Sequence, residues 1–188
     1  MDKKTSNADL VYNYVSEKIY YINSISDTGA GKAMLAQLRR GIGKRPGELP
    51  ELWGMIFENM PEKLLGKEKM SYAEWAVYTA LTLYALHRQG SETEVNDKGV
   101  SLGAAAAKLI EQPEDTQRIL NRMNLVVTAV SNEDAAYHIR SLVQLFKSKG
   151  IGFDYPWLAK DLYRLNFDES ADNIKLRWGR EFYAIINK

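Results

Sequence analysis

"ADLVYNYVSEKIYYI", residues 8–22, decides the fold. Val11, Val15, Ile19 and Ile22 recur at i, i+4, i+8 and i+11. That spacing gathers four aliphatic side chains on one side of an amphipathic helix. Strand-type alternation is scarce in the rest of the chain. Gly31 to Arg40 reads as a second helix with Met34, Leu35 and Leu38 facing inward. Ser71-Tyr72-Ala73-Glu74 is a capping box, in which the serine accepts from an orphan amide and the glutamate reaches back. The helix it opens runs to about Gln89, and Gly90 is its stop.

Residues 91–100, SETEVNDKGV, are polar and turn-forming and read as a hinge or surface loop. Beyond them, Ser101 to Glu111 is a short helix. Pro113 at N1, with Glu114 and Asp115 in the first turn, starts another. Ser131 to Asp134 opens a helix that ends at Lys149-Gly150. Asp154-Tyr155-Pro156 begins one through about Leu165, and Ala171 to Ile186 makes the last. The expectation is an all-α protein, a compact helical bundle of two packed halves. These are 1–90, with a basic loop at 39–45, and 101–188, joined by the connecting loop 91–100.

Composition supports a folded chain and excludes several chemistries. Of the 188 residues 45% are hydrophobic, enough for a core without staples. The absence of cysteine removes thiolate zinc sites, Cys nucleophiles and redox motifs. No signal-peptide pattern or membrane-length apolar run is visible, so a cytoplasmic protein with no membrane association is expected. His87 and His138 stand about fifty residues apart on separate helices. Both read as structural, His87 as a cation favoured by the dipole of its helix's last turn. Gly29-Ala30-Gly31-Lys32 lacks P-loop spacing, and HExxH, GxSxG and acidic calcium loops are absent. No enzyme, metal or cofactor is expected.

Cations carry the better signal. The formal net charge is only +1, yet residues 27–50 hold Lys32, Arg39, Arg40, Lys44 and Arg45 against Asp27 and Glu48. Such asymmetry can build a basic face on a nearly neutral molecule. Around Gly41 and Gly43, an open turn would let amides and long side chains follow phosphates, with salt-dependent, sequence-independent affinity. Arg118 and Arg122 share a helix face, a repulsive spacing unless an anion lies between them or Glu114 neutralises Arg118. Arg140 lies opposite Ile139, Leu142, Val143 and Phe146, with Lys147 nearly on its side. Arg177 and Arg180 flank a Trp178/Phe182 row, and Arg177 can pair with Glu181. Tyr12, Tyr14, Tyr20 and Tyr21 of the first helix, and Trp53 after the basic loop, read as core rather than as base-stacking platforms.

Six blocks in order then resemble a known family. They are "MLAQLRRGIGKRPGELPELW" (34–53), "YALHRQG" (84–90), "SLGAAAAKL" (101–109), "TQRILNRMNLVVTA" (116–129), "AAYHIRSLVQLFKSKGIGFDYPWLAKDLYRL" (135–165) and "IKLRWGREFY" (174–183). Together they resemble CasB, the small-subunit family of the type I-E CRISPR Cascade complex. Residues 1–30 carry little of the likeness.

The resemblance implies an all-helical, non-catalytic subunit present as two copies in a crRNA-containing complex. Its implied partners are the backbone and large subunits and the displaced single DNA strand of the R-loop. It favours Arg39 or Arg40, Arg118, Arg122 and Arg140 as nucleic-acid contacts, while Lys32, Lys44, Arg45 and Lys147 rest on the charge argument. Arg177 and Arg180 match a family block that could equally be structural. Where the family often carries a basic residue after "SLG", this chain has Ala104, and Lys108 is the nearest substitute. The alternative is a purely structural helical adaptor whose cations meet acidic surfaces of partner subunits. A helix-turn-helix repressor would need a short sharp interhelical turn, and none is evident.

Overall fold

In a computed structural model of the chain, residues 5–91 and 93–187 are described. Their regular structure is helical: α1 (Asn7–Ser24), α2 (Gly29–Arg40), α3 (Trp53–Phe57), α4 (Tyr72–Arg88), α5 (Leu102–Ala107), α6 (Asp115–Val127), α7 (Asn132–Lys149), α8 (Tyr155–Arg164) and α9 (Asp168–Ile186). Short 3-10 turns at Pro50–Leu52 and Glu62–Leu64 and one isolated bridge, Asn96 to Phe153, complete it. The all-α expectation is borne out. No helix among the described residues is long and apolar enough to cross a membrane.

Two compact units emerge, one within Met1–Ala85 and Tyr155–Asn166, the other within Leu86–Asp154 and Phe167–Lys188. The boundary expected at 91–100 therefore differs from the observed division in two ways. The chain changes unit inside α4, and residues 155–166 return to the first unit. They return because α8 packs against α1, where Lys160 Nζ lies 2.6 Å from Asp9 Oδ1. The hydrogen bond from Lys160, helped by Ser6, lowers the Asp9 pKa.

In the first unit, Val11, Val15, Ile19 and Ile22 of α1 are all buried, as the stripe predicts. So are Ala73, Val77, Tyr78, Leu81 and Tyr84 along α4, a helix apolar on nearly every side and therefore central. The capping box forms: Ser71 Oγ accepts from the Glu74 amide at 3.0 Å and Glu74 Oε2 accepts from the Ser71 amide at 2.6 Å. Residues 50–64 add short turns to the helices expected from the sequence. Their signal was present, since Leu52, Ile56, Met60 and Leu64 recur every fourth position and all are buried. Tyr14 pins this segment to α1 by donating to the carbonyls of Ile56 and Glu58 at 2.9 and 2.8 Å.

The second unit depends on small residues. A Cβ on Gly103 would sit 2.2 Å from the Trp178 carbonyl oxygen, so only glycine lets α5 lie this close to α9. Ser101 caps α5 through the Ala104 amide, and Ser131 caps α7 through the Asp134 amide. Gly150, at φ +64°, ends α7 in the left-handed conformation. Of the two expectations for residues 91–100, hinge or surface loop, the second fits: the segment is largely exposed but stitched down. Phe153 N donates to Val95 O and Asp97 N to Phe153 O, each at 3.1 Å, and Val95 is buried. His87 corrects an expectation. It is 1% exposed, stacked 6.2 Å from the Phe153 ring, and burial, with Lys147 adding, pushes its pKa down to about 4. It is neutral and packed, not a cation on a helix dipole.

Candidate nucleic-acid interface

In the first unit α2 organises the cations. Thr28 Oγ1 caps the helix by accepting from the Gly31 amide at 3.0 Å, and Leu35 and Leu38 turn inward. Met34, expected to face inward as well, is half-buried. The inward leucines leave Lys32, exposed, and Arg39, half-buried, seven residues apart on one side of the helix. Arg40 and, in the following turn, Lys44 and Arg45 are exposed. Among the described residues no carboxylate pairs with Lys32, Arg39, Arg40 or Arg45. Lys44 Nζ stands 3.8 Å from Glu48 Oε2, a surface pair of small energetic weight.

The glycine turn is not open in the expected way. Gly41 is buried, and Tyr78 Oη donates to its carbonyl at 2.8 Å. A Cβ there would meet Tyr78 Oη at 2.7 Å, Leu52 Cδ1 at 2.9 Å and Thr82 Cγ2 at 3.0 Å. Gly41 thus serves close packing against α4. The amides of Gly41, Ile42, Lys44 and Arg45 already donate within the turn. Those four amides are used within the turn, so the backbone cradle expected from the sequence is reduced and side chains are the main groups left to meet a phosphate. Burial pushes the Tyr78 pKa up to about 12, with Glu48 and Glu51 adding to the rise.

In the second unit the candidate cations are mostly engaged. Arg118 pairs with Asp115, Nη2 to Oδ1 at 2.6 Å, so the acid one turn earlier is Asp115 and not Glu114. That hydrogen bond lowers the Asp115 pKa, while Oδ2 accepts from the amides of Glu111 and Gln112. Arg122 reaches from α6 to α7 and donates to Ser141 Oγ, the residue next to Arg140. Arg140 is half-buried and meets no carboxylate among the described residues. Lys147 Nζ donates to Gln89 Oε1 at 3.3 Å. On α9, Arg177 Nε lies 3.8 Å from Glu181 Oε1, as the pairing alternative expects, and Arg180 is exposed. Lys108 stands 3.9 Å from Asp97 Oδ2.

The sequence reading missed a second basic knuckle. Lys63, Lys67 and Lys69 lie on the segment leading into α4, and no carboxylate pairs with them among the described residues. Glu74 fixes that segment by accepting from the Gly66 and Ser71 amides. The interspersed Glu62 and Glu68 had masked its charge in the sequence. The aromatic expectation also divides. Tyr14 is buried, but Tyr20 and Tyr21 of α1 and Trp53 of α3 are 78%, 52% and 50% exposed.

The model of the family described as CRISPR-associated protein Cse2 matches residues 34–183, nearly the span of the six blocks. The chain belongs to the Cse2 family. Its fold is similar to that of CasB from Thermobifida fusca, at 30% identity over 92% of this chain and 97% of that one, with TM-score 0.80. CasB from Thermus thermophilus matches at 22% identity over 96% and 99%, TM-score 0.68. A chain of a structure described as a CRISPR RNA-guided surveillance complex matches at 15% identity over 94% and 95%, TM-score 0.72. Comparison with curated proteins gives no match. The CasB resemblance of the six blocks therefore stands on independent ground.

Proposed function

We propose that this Cse2-family chain is the non-catalytic small subunit of a type I-E Cascade complex in the cytoplasm. In it, two copies sit with the backbone and large subunits around the crRNA, and basic side chains hold the displaced DNA strand. One observation carries the nucleic-acid reading: Lys32, Arg39, Arg40 and Arg45 lie on one helix and its terminal turn, and among the described residues no carboxylate pairs with their side-chain cations. Unpaired guanidinium and ammonium groups gain most from a polyanion, because each phosphate contact releases counterions without giving up an existing ion pair. Exchange of a DNA duplex for an RNA–DNA heteroduplex is nearly balanced, so modest contacts to the displaced backbone can tip it. Such contacts must accept any sequence, which suits side chains aimed at phosphates.

The adaptor reading has its own support in the second unit. Arg118 and Arg177 already pair with acids of their own helices, which lowers their draw on a phosphate and leaves the strand-holding function less support there than on α2. The test is target-DNA affinity of the assembled complex over a salt series, with Arg39, Arg40, Arg122 and Arg140 reversed to Glu. Weaker binding with intact assembly supports the strand-holding function. Unchanged target binding, together with no salt-dependent binding of single-stranded oligonucleotide by the free chain, defeats it. Loss of co-purification with partner subunits, with no separate DNA defect, establishes the adaptor.

A further inference from the structure

A cavity of about 280 Å3 opens in the first unit between α1, α2 and α3, away from the cation stripe of α2. Its floor is Ile22, Leu38 and Leu81, and Met34 and Met55 form its sides. Glu51 and Glu58 stand at its mouth with Lys18 and Gln37. We propose that this cavity is a docking site for a basic, apolar helical segment of a partner protein, which inserts an apolar side chain and presents Lys or Arg to Glu51 and Glu58.

The walls are preformed. A Cβ on Gly31 would lie 2.0 Å from the Ile25 carbonyl oxygen, so glycine sets the close corner between α1 and α2. Tyr14 holds the carbonyls of both Ile56 and Glu58, which fixes α3 and the Glu58 backbone against α1. Methionines inside such a frame adapt to the shape of an inserted side chain. The volume lies just below the roughly 300–1,000 Å3 of pockets that enclose a drug-sized ligand, and it suits one or two anchor side chains. Gly54 at the rim has no atom within 4 Å of an added Cβ, and Tyr21 beside it is half-exposed, so the mouth is accessible and partly apolar.

Charge selects the occupant. Neither Glu51 nor Glu58 has an ion-pair partner among the described residues. Among the described residues Lys18 is the one cation of the lining, and its ammonium sits over the Tyr14 ring, 5.2 Å from the centroid. Two carboxylates against one ammonium repel phosphates and attract a basic peptide. The pKa of Tyr14 is raised, first by burial and then by the charges of Glu58 and Glu17, in keeping with a negative field on this side of α1. An apolar helix with cations flanking its anchor fits the groove.

The test uses the full chain with 13C-methyl methionine. Two synthetic helical peptides are titrated, one built of Leu and Lys and its counterpart of Leu and Glu. Saturable shifts of the Met34 and Met55 signals are expected with the Leu/Lys peptide, at an affinity at least about tenfold above the Leu/Glu peptide at low salt. E51Q/E58Q, which changes only exposed side chains, is expected to lower that affinity about fivefold or more with circular dichroism unchanged. The proposal is overturned if Met34 and Met55 do not move, if both peptides bind equally, or if E51Q/E58Q has no effect. It is also overturned if a single-stranded oligonucleotide moves those two signals. Oligonucleotide affinity of the same variant reads the strand-holding function separately, so either idea can fail alone.

Discussion

Residues 32–45 and the α6–α7 pair are both rich in arginine, but their cations are in different states. Among the described residues no carboxylate pairs with Lys32, Arg39, Arg40 or Arg45, while Arg118 is tied to Asp115 and Arg122 to Ser141. A guanidinium beside a carboxylate has part of its charge offset, and one donating to a hydroxyl has one of its five N–H groups in use, so equal charge on the two regions does not mean equal affinity. Arg140, half-buried and with no carboxylate partner among the described residues, is the exception within the second region.

The largest expected effect separates the two regions by acid. His87 is neutral in the folded chain, with its pKa pushed from 6.5 to about 4 by burial and then by Lys147 of α7. The unfolded chain therefore binds this proton first as pH falls. The stabilisation is complete above about pH 6.5 and is lost toward pH 4, on the order of 3 kcal/mol. Hydrogen exchange at pH 7 and pH 5 is expected to show α7 losing protection before α1, and H87Q to flatten the pH slope of stability. Equal loss in both helices would break the comparison.

Gly41→Ala comes next. The added methyl has no room beneath Tyr78, Leu52 and Thr82, and a loss of about 1–3 kcal/mol is expected in urea unfolding. Gly43, where an added Cβ meets nothing within 4 Å but φ is +77°, should cost less when changed to Ala, about 1 kcal/mol of backbone strain. A reversed order would mean that the turn is not anchored on α4.

Charge reversal compares the regions directly. R39E/R40E/R45E is expected to weaken target-DNA binding by the complex more than about tenfold at moderate salt and to reduce the salt slope by several phosphate equivalents. R118E should weaken it less than about threefold, since Asp115 already occupies that guanidinium. Equal effects would show that existing pairs do not govern availability.

The smallest effect sharpens the second region. Ser141→Ala removes the acceptor that holds Arg122 between α6 and α7, at about 1 kcal/mol of stability in thermal unfolding. The released guanidinium should leave oligonucleotide binding unchanged or slightly tighter. Weaker binding would mean that Arg122 needs Ser141 to be aimed at phosphate.

Much of the fold was legible because local rules and tertiary packing agree. The α1 stripe, the Ser71–Glu74 box, the Ser131 cap and the Gly150 stop are each short-range devices whose partners lie within about one turn. Residues 50–64 were legible in principle through their four-residue apolar repeat, but two prolines and short 3-10 turns broke the helical signal. The candidate site was legible only as a set of charges. Which cation already has a partner depends on rotamers and on neighbours one helix away, as Arg122 and Ser141 illustrate.

By itself, the sequence determined the helical class, most helix ends, the cysteine-free chemistry and the order of blocks that marks the Cse2 family. Periodicity, capping and residue type act over a few positions and need no long-range contact. Tertiary structure alone decided that residues 155–166 join the first unit and that Gly41 serves packing instead of an open turn. It also made His87 neutral and left Glu51 and Glu58 at the mouth of an apolar cavity. Each of these depends on which distant side chains exclude water from a group or supply its partner, and burial and charge pairing are set in three dimensions.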